Sequence, residues 1–141
     1  VQKNSLGNMG NEVIEVSTKY AQQLVEVTSM IRERVRRSGV KNGVCFIYVP
    51  HTTAGITVNE NADPSVITDI LTTLDRLIPV DGDYRHLEGN AHAHVKASIV
   101  GHSAILLVED GEPVLGTWQG VFLCEFDGPR RRKILLKIMG E

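Results

Sequence analysis

At 141 residues the chain is long enough to close one hydrophobic core and short for two ordinary domains. Its 42% hydrophobic and 23% charged content is that of a soluble globular protein, and a formal net charge of -2 gives no electrostatic case for nucleic acid or an anionic membrane. No apolar run reaches transmembrane length and the N-terminus lacks a signal-peptide pattern, so the cytoplasm is the expected address.

Residues 1–10 are polar and glycine-bearing, and a flexible arm is expected there ahead of a single domain at 11–141. Glu12 to Val16 alternates as a short strand. Ser17 or Thr18 then reads as the cap of a helix with Ala21, Leu24, Val25, Thr28, Ile31 and Val35 at helical spacing. Arg32, Arg34, Arg36 and Arg37 load its C-terminal half, where cations suit the helix dipole, and Gly39 supplies the stop. A solvated helix face accounts for these arginines better than a phosphate-binding patch.

Val44 to Val49 is an apolar run too short for a helix and reads as a buried strand; Ile56 to Glu60 alternates as the next. Asp63 caps, and Pro64 opens, a helix to about Leu77 with Val66, Ile67, Ile70, Leu71, Leu74 and Leu77 on one stripe. A loop turns at Asp81-Gly82-Asp83, and a short helix follows between the cap Asn90 and the stop Gly101. Strands are expected at Ser103 to Val108, Pro113 to Leu115, Trp118 to Phe126 and Arg130 to Met139, joined by turns at Asp110-Gly111 and Asp127-Gly128-Pro129. Cys45 and Cys124 lie inside apolar strands, as buried thiols rather than a disulfide or zinc ligands. The expected fold class is α+β: a single domain with a largely antiparallel β-sheet and helices packed on one side.

The densest run of polar groups is Pro50 to Pro64, PHTTAGITVNENADP, at the end of a buried strand, where sites tend to be built. The plainer alternative is a turn whose hydroxyls satisfy their own backbone. Beyond His51, the histidines fall between His86 and His102. His92 and His94 diverge on a helix, while His94 shares a face with Ser98 and His92 with Lys96. The expected metal set is therefore His51, His86 and His94, against the alternative of separate, hydrogen-bonded structural histidines; neither HExxH nor CxxC is present. Trp118, the single tryptophan, sits between Gly116 and Gly120, as a binding loop or as the lid of a hairpin core. Glu125 shares a face with Val121 and Leu123, so its carboxylate must be paired, metal-bound or at a cavity mouth. Arg130 and Arg132 point one way and Arg131 the other; they hold a phosphate group or protect an edge strand.

HTTAGITVNENADP, YRHLEGNAHAHVKAS and LGTWQGVFLCEFDGPR, in this order, closely resemble the YjbQ family over roughly Glu12 to Met139. The resemblance implies an α+β fold assembled as a homotrimer, a metal-associated histidine pocket near the subunit contacts, and a thiamine-phosphate synthase activity. It places the polar motif positions at His51, Thr52, Asn59, Glu60, His86, His94, Trp118, Gln119 and Glu125. The expected function is a transferase joining a pyrimidine diphosphate to a thiazole phosphate, a phosphorylated small-molecule substrate, with loss of pyrophosphate. A divalent ion would sit on His51, His86 and His94, with zinc favoured by the imidazoles and magnesium the other candidate. Glu60 and Glu125 would orient ligands or move protons, and Lys96, Arg130 or Arg132 would meet phosphate. Thr52, Asn59, Trp118 and Gln119 complete the expected substrate contacts. Two further expectations are a metal-dependent hydrolase with Glu60 or Glu125 as base, and a non-catalytic trimeric protein that binds a small ligand.

Overall fold

Eight strands and three helices lie along residues 11–141, the part of the chain that the computed structural model describes; the arm expected at 1–10 lies outside the described residues. In chain order these are β1 (Asn11–Ser17), β2 (Gln23–Glu26), α1 (Thr28–Ser38), β3 (Gly43–Tyr48), β4 (Ala54–Glu60), α2 (Pro64–Leu77), α3 (Ala91–Val100), β5 (Ser103–Glu109), β6 (Glu112–Pro113), β7 (Gln119–Glu125) and β8 (Arg131–Gly140). Every strand pairing is antiparallel, which gives the α+β class. The strands divide into two sheets, β1-β8-β3-β5-β6 and β2-β7-β4.

The division follows from β7, which is apolar on both faces. Val121 and Leu123 join a core between the sheets that includes Ile14, Ile31, Val35, Ile47, Ile56 and Ile134. Phe122 and Cys124, with Phe126 just beyond, face the other way, onto Ile67, Ile70, Leu71 and Leu74 of α2 and Ala93 and Ala97 of α3. A strand buried on both faces has to be the middle layer. α2 and α3 thus cover one side of the three-stranded sheet, while α1 turns Ile31 and Val35 into the core between the sheets.

Several local expectations hold. Asp63 caps α2 by accepting from the backbone N–H of Ser65, with Pro64 as the first helical residue. Gly39 ends α1 at φ 77°, in the left-handed region. Asp110 and Gly111, at φ 53° and 78°, form the two-residue turn between β5 and β6. Arg34 and Arg37 bind Glu12, and Arg36 binds Glu112, so the arginine run is a solvated face tying α1 to its neighbours. Both cysteines are free and buried, which pushes the thiols up to about 11 for Cys45 and about 12 for Cys124. No helix among the described residues is long and apolar enough to cross a membrane.

Four expectations need correction. The helix expected from Thr18 begins only at Thr28, because residues 23–26 pair with β7 (Leu24 opposite Cys124) and the ladder overrides a helical period. β3 is buried on one face only: Cys45 and Ile47 point inward while Phe46 and Tyr48 stand 40% and 51% exposed. β8 lies between β1 and β3, so its arginines protect no edge. Asn90 sits at the start of α3 without capping it; its amide donates to Asp127 instead, at 2.8 Å.

Candidate functional site

β3 ends at Tyr48, opposite Leu135. Two residues earlier on β8, the backbone N–H of Lys133 donates to Nε2 of His51 at 2.9 Å, so the imidazole stands where the next ladder partner would be. His51 lines a hollow of about 390 Å³ with Tyr48, Pro50, Thr52 and His102. Burial, and then the charges of Arg132, Arg130 and Lys133 opposed by Glu125, hold this imidazole below its ordinary value.

The loop before α3 folds back so that the His86 and His94 rings meet edge to face, with centroids 5.1 Å apart. His86 Nε2 lies 3.2 Å from the Glu88 carboxylate. The pair lines a separate hollow of about 340 Å³ with Tyr84, Arg85, Ala91 and Val95. The expected metal set is therefore divided, His86 and His94 together and His51 elsewhere. The reason is positional: β8 anchors His51 at the end of the five-stranded sheet, whereas His94 lies six residues, about 9 Å of helix axis, ahead of the end of α3. Among the described residues no three His, Cys, Asp or Glu side chains are grouped to hold a metal ion. Zinc takes at least three protein ligands, so the residues of one chain do not fit the metal that the resemblance implies.

Lys96 of α3 is wholly buried. Its Nζ donates to Gln22 Oε1 at 3.0 Å and Asp75 Oδ1 at 2.5 Å, and lies 2.9 Å from His92 Nδ1. This ammonium is engaged rather than free for phosphate, and the cluster reaches solvent through Asp75, whose side chain is 46% exposed. Burial, and then the charge of Lys96, hold His92 below its ordinary value against Asp75, Asp127 and Asp81. His92, Asp75 and Gln22 were not among the expected site residues. The available signal was the four-residue spacing of His92 and Lys96; nothing local to Gln22 or Asp75 pointed to Lys96.

Glu125 is also wholly buried, and of its three alternatives it is the paired one. Its carboxylate accepts from Thr18 Oγ1 at 2.8 Å, from the backbone N–H of Asp127 at 2.9 Å, and from Arg132 Nε at 2.9 Å, with a second guanidinium contact to Arg132. Arg132 continues to Thr53, donating to Oγ1 at 2.8 Å and to the carbonyl at 3.2 Å. Burial alone would raise this carboxyl, but the hydrogen bonds from Arg132, Asp127 and Thr18, with the charge of Arg132, hold it below its ordinary value. Glu125 and Arg132 thus form a structural ion pair. They are poorly placed for the base and phosphate roles expected of them.

Thr52 is exposed beside His51, and Arg130 is exposed with its guanidinium on the carbonyl and carboxylate of Asp127. Asn59 lines a cleft of about 440 Å³ with Thr57 and the α2 residues Asp69, Ile70 and Thr73. Half-buried Glu60 ends β4; Trp118 is 63% exposed, and Gln119 accepts from the backbone N–H of Gly116 at 2.8 Å. In the β4–β7 register Ala54 lies opposite Glu125 and Glu60 opposite Gln119. Asn59, Glu60, Trp118 and Gln119 therefore lie at one end of this ladder and His51, Thr52 and Glu125 at the other, about 20 Å away.

Residues 12–141 match the family model described as UPF0047 protein YjbQ-like. UPF0047 protein MJ1081 of Methanocaldococcus jannaschii is 53% identical over 127 residues, which cover 90% of this chain and 92% of that protein. UPF0047 protein YugU of Bacillus subtilis is 44% identical over 130 residues, covering 92% and 98%. The crystal structure of an uncharacterised YjbQ/UPF0047 protein from Clostridium acetobutylicum matches with a TM-score of 0.89 at 48% identity, covering 91% of this chain and 99% of that one.

Proposed function

The chain belongs to the UPF0047 YjbQ-like family, and on that premise we propose a cytoplasmic transferase of the thiamine-phosphate synthase type, working as a homotrimer. It would join a pyrimidine diphosphate to a thiazole phosphate. The bond from the pyrimidine to its diphosphate breaks with the electron pair leaving on pyrophosphate, so donors and cations must surround the leaving oxygen. Arg85 beside the His86–His94 pair, and Arg130 and Lys133 near His51, are the cations at hand.

The observation that carries this reading is the placement of motif residues at both ends of the β4–β7 ladder, about 20 Å apart. A single site using both ends must draw them from more than one copy. The outer face of the five-stranded sheet suits such a contact: Val13, Phe46, Ile105, Leu107 and Met139 are 50%, 40%, 62%, 55% and 46% exposed. Tyr48, on the same face, also lines the His51 hollow, so a copy seated there would border that hollow. Leu107→Glu is expected to weaken association at least about 100-fold, as a charge opposed to an apolar contact. Light scattering would then read a mass near 15.5 kDa, that of one chain. An unchanged mass with the secondary structure retained rejects the sheet face as the contact.

Purified protein given both substrates, with zinc or magnesium added, is expected to release pyrophosphate. His94→Ala should lower turnover about 100-fold while leaving the fold intact, by removing one ring of the histidine pair. No pyrophosphate with either metal rejects the transferase. Phosphate released from one substrate alone would instead support the hydrolase.

A further inference from the structure

A backbone N–H can only donate, so the ring atom 2.9 Å from the N–H of Lys133, Nε2 of His51, must present a lone pair. An imidazolium has no lone pair, and a neutral imidazole has one; the ring is therefore neutral and its proton sits on Nδ1. Turning the ring over would set a C–H against the same N–H. His51 thus has no second lone pair to give a metal ion, and it has one N–H left to donate.

We infer that His51 donates this Nδ1–H to an oxyanion, a phosphate oxygen of the substrate, and is not a metal ligand. The inference rests on the phosphorylated substrate proposed above and changes what the histidine does with it. The electrostatics suit an anion. Arg132, Arg130 and Lys133 all act on the ring; Glu125 engages Arg132 and Asp127 engages Arg130, which leaves the Lys133 ammonium as the cation to meet an anion there. The adjoining hollow of about 390 Å³ has room for a phosphate group and carries the polar side chains of Tyr48, Thr52 and His102. The Lys133 bond gives the donor its direction, as an outer hydrogen bond fixes a tautomer in many sites.

The test reads the tautomer and binding, not turnover. In uniformly 15N-labelled protein, long-range 1H–15N spectra should show His51 protonated at Nδ1, and that signal should shift on titration with inorganic phosphate. His51→Asn keeps a donor near the Nδ1 position and should bind phosphate within about threefold of the unsubstituted protein. His51→Gln reaches the Nε2 position instead and should bind about tenfold more weakly, with the fold of both checked by circular dichroism. Protonation at Nε2, a His51 signal that phosphate leaves unmoved, or equal binding by the Gln variant would each overturn the inference. Phosphate binding as described without pyrophosphate release sinks the transferase alone; release with an Nε2-protonated His51 sinks the inference alone.

Discussion

Glu125→Ala is expected to destabilise the fold by about 3–5 kcal/mol, read as a lower urea midpoint at unchanged slope. The loss comes from what stays behind. Arg132, 2% exposed, would keep its charge with only Thr53 as partner, and the Thr18 hydroxyl and the Asp127 N–H would lose their acceptor. Adding Arg132→Met should recover part of the loss, because a buried pair removed whole costs less than one broken in half. The acid limb carries the same signature. The Glu125 carboxyl titrates below its ordinary 4.5 in the folded protein, so the unfolded chain takes up the proton first. Its contribution is complete above about 4.5 and is lost as pH falls through the folded value. Glu125→Gln should flatten that part of the stability profile. A Glu125→Ala variant of native stability that has lost activity would restore the catalytic base.

The second large effect is an asymmetry within the Lys96 cluster. Asp75→Ala is expected to cost about 3 kcal/mol or more, because it leaves an ammonium with no exposed surface facing only Gln22 and His92. Lys96→Met should cost less, about 1–2 kcal/mol, because the Asp75 carboxylate, 46% exposed, can be hydrated where it stands and the buried group left without its partner is the neutral Nδ1 of His92. Chemical denaturation of the two variants compares them directly. Equal losses would mean that the ammonium is not held by this carboxylate. Lys96→Met also separates structure from catalysis: a large loss of turnover at near-native stability is what a substrate contact predicts.

Much of this protein can be read locally. The period of β1 and β4, the Asp63-Pro64 start, the Gly39 stop and the Asp110-Gly111 turn are each specified within a few residues. Alternation alone puts Glu125 on the core face of β7 and requires a partner for it. The identity of that partner is another matter. Arg132 and Thr18 converge on it from two other segments, with Thr53 of a third accepting from Arg132, and no spacing rule links them.

The same boundary explains the misread helix and the divided histidines. Periodicity reports which face of an element is apolar, so it told strand from helix wherever one period was clear. Gln23–Glu26, with Leu24 and Val25 adjacent, shows no alternation, and only the ladder with β7 makes it a strand. Motif strings reveal which polar residues are present but carry no distances. Whether His51 joins His86 and His94, and which residues surround Lys96, depend on where distant segments are brought by register and by the stacking of layers. Those are long-range choices made by burying apolar faces against each other, and only the folded chain makes them.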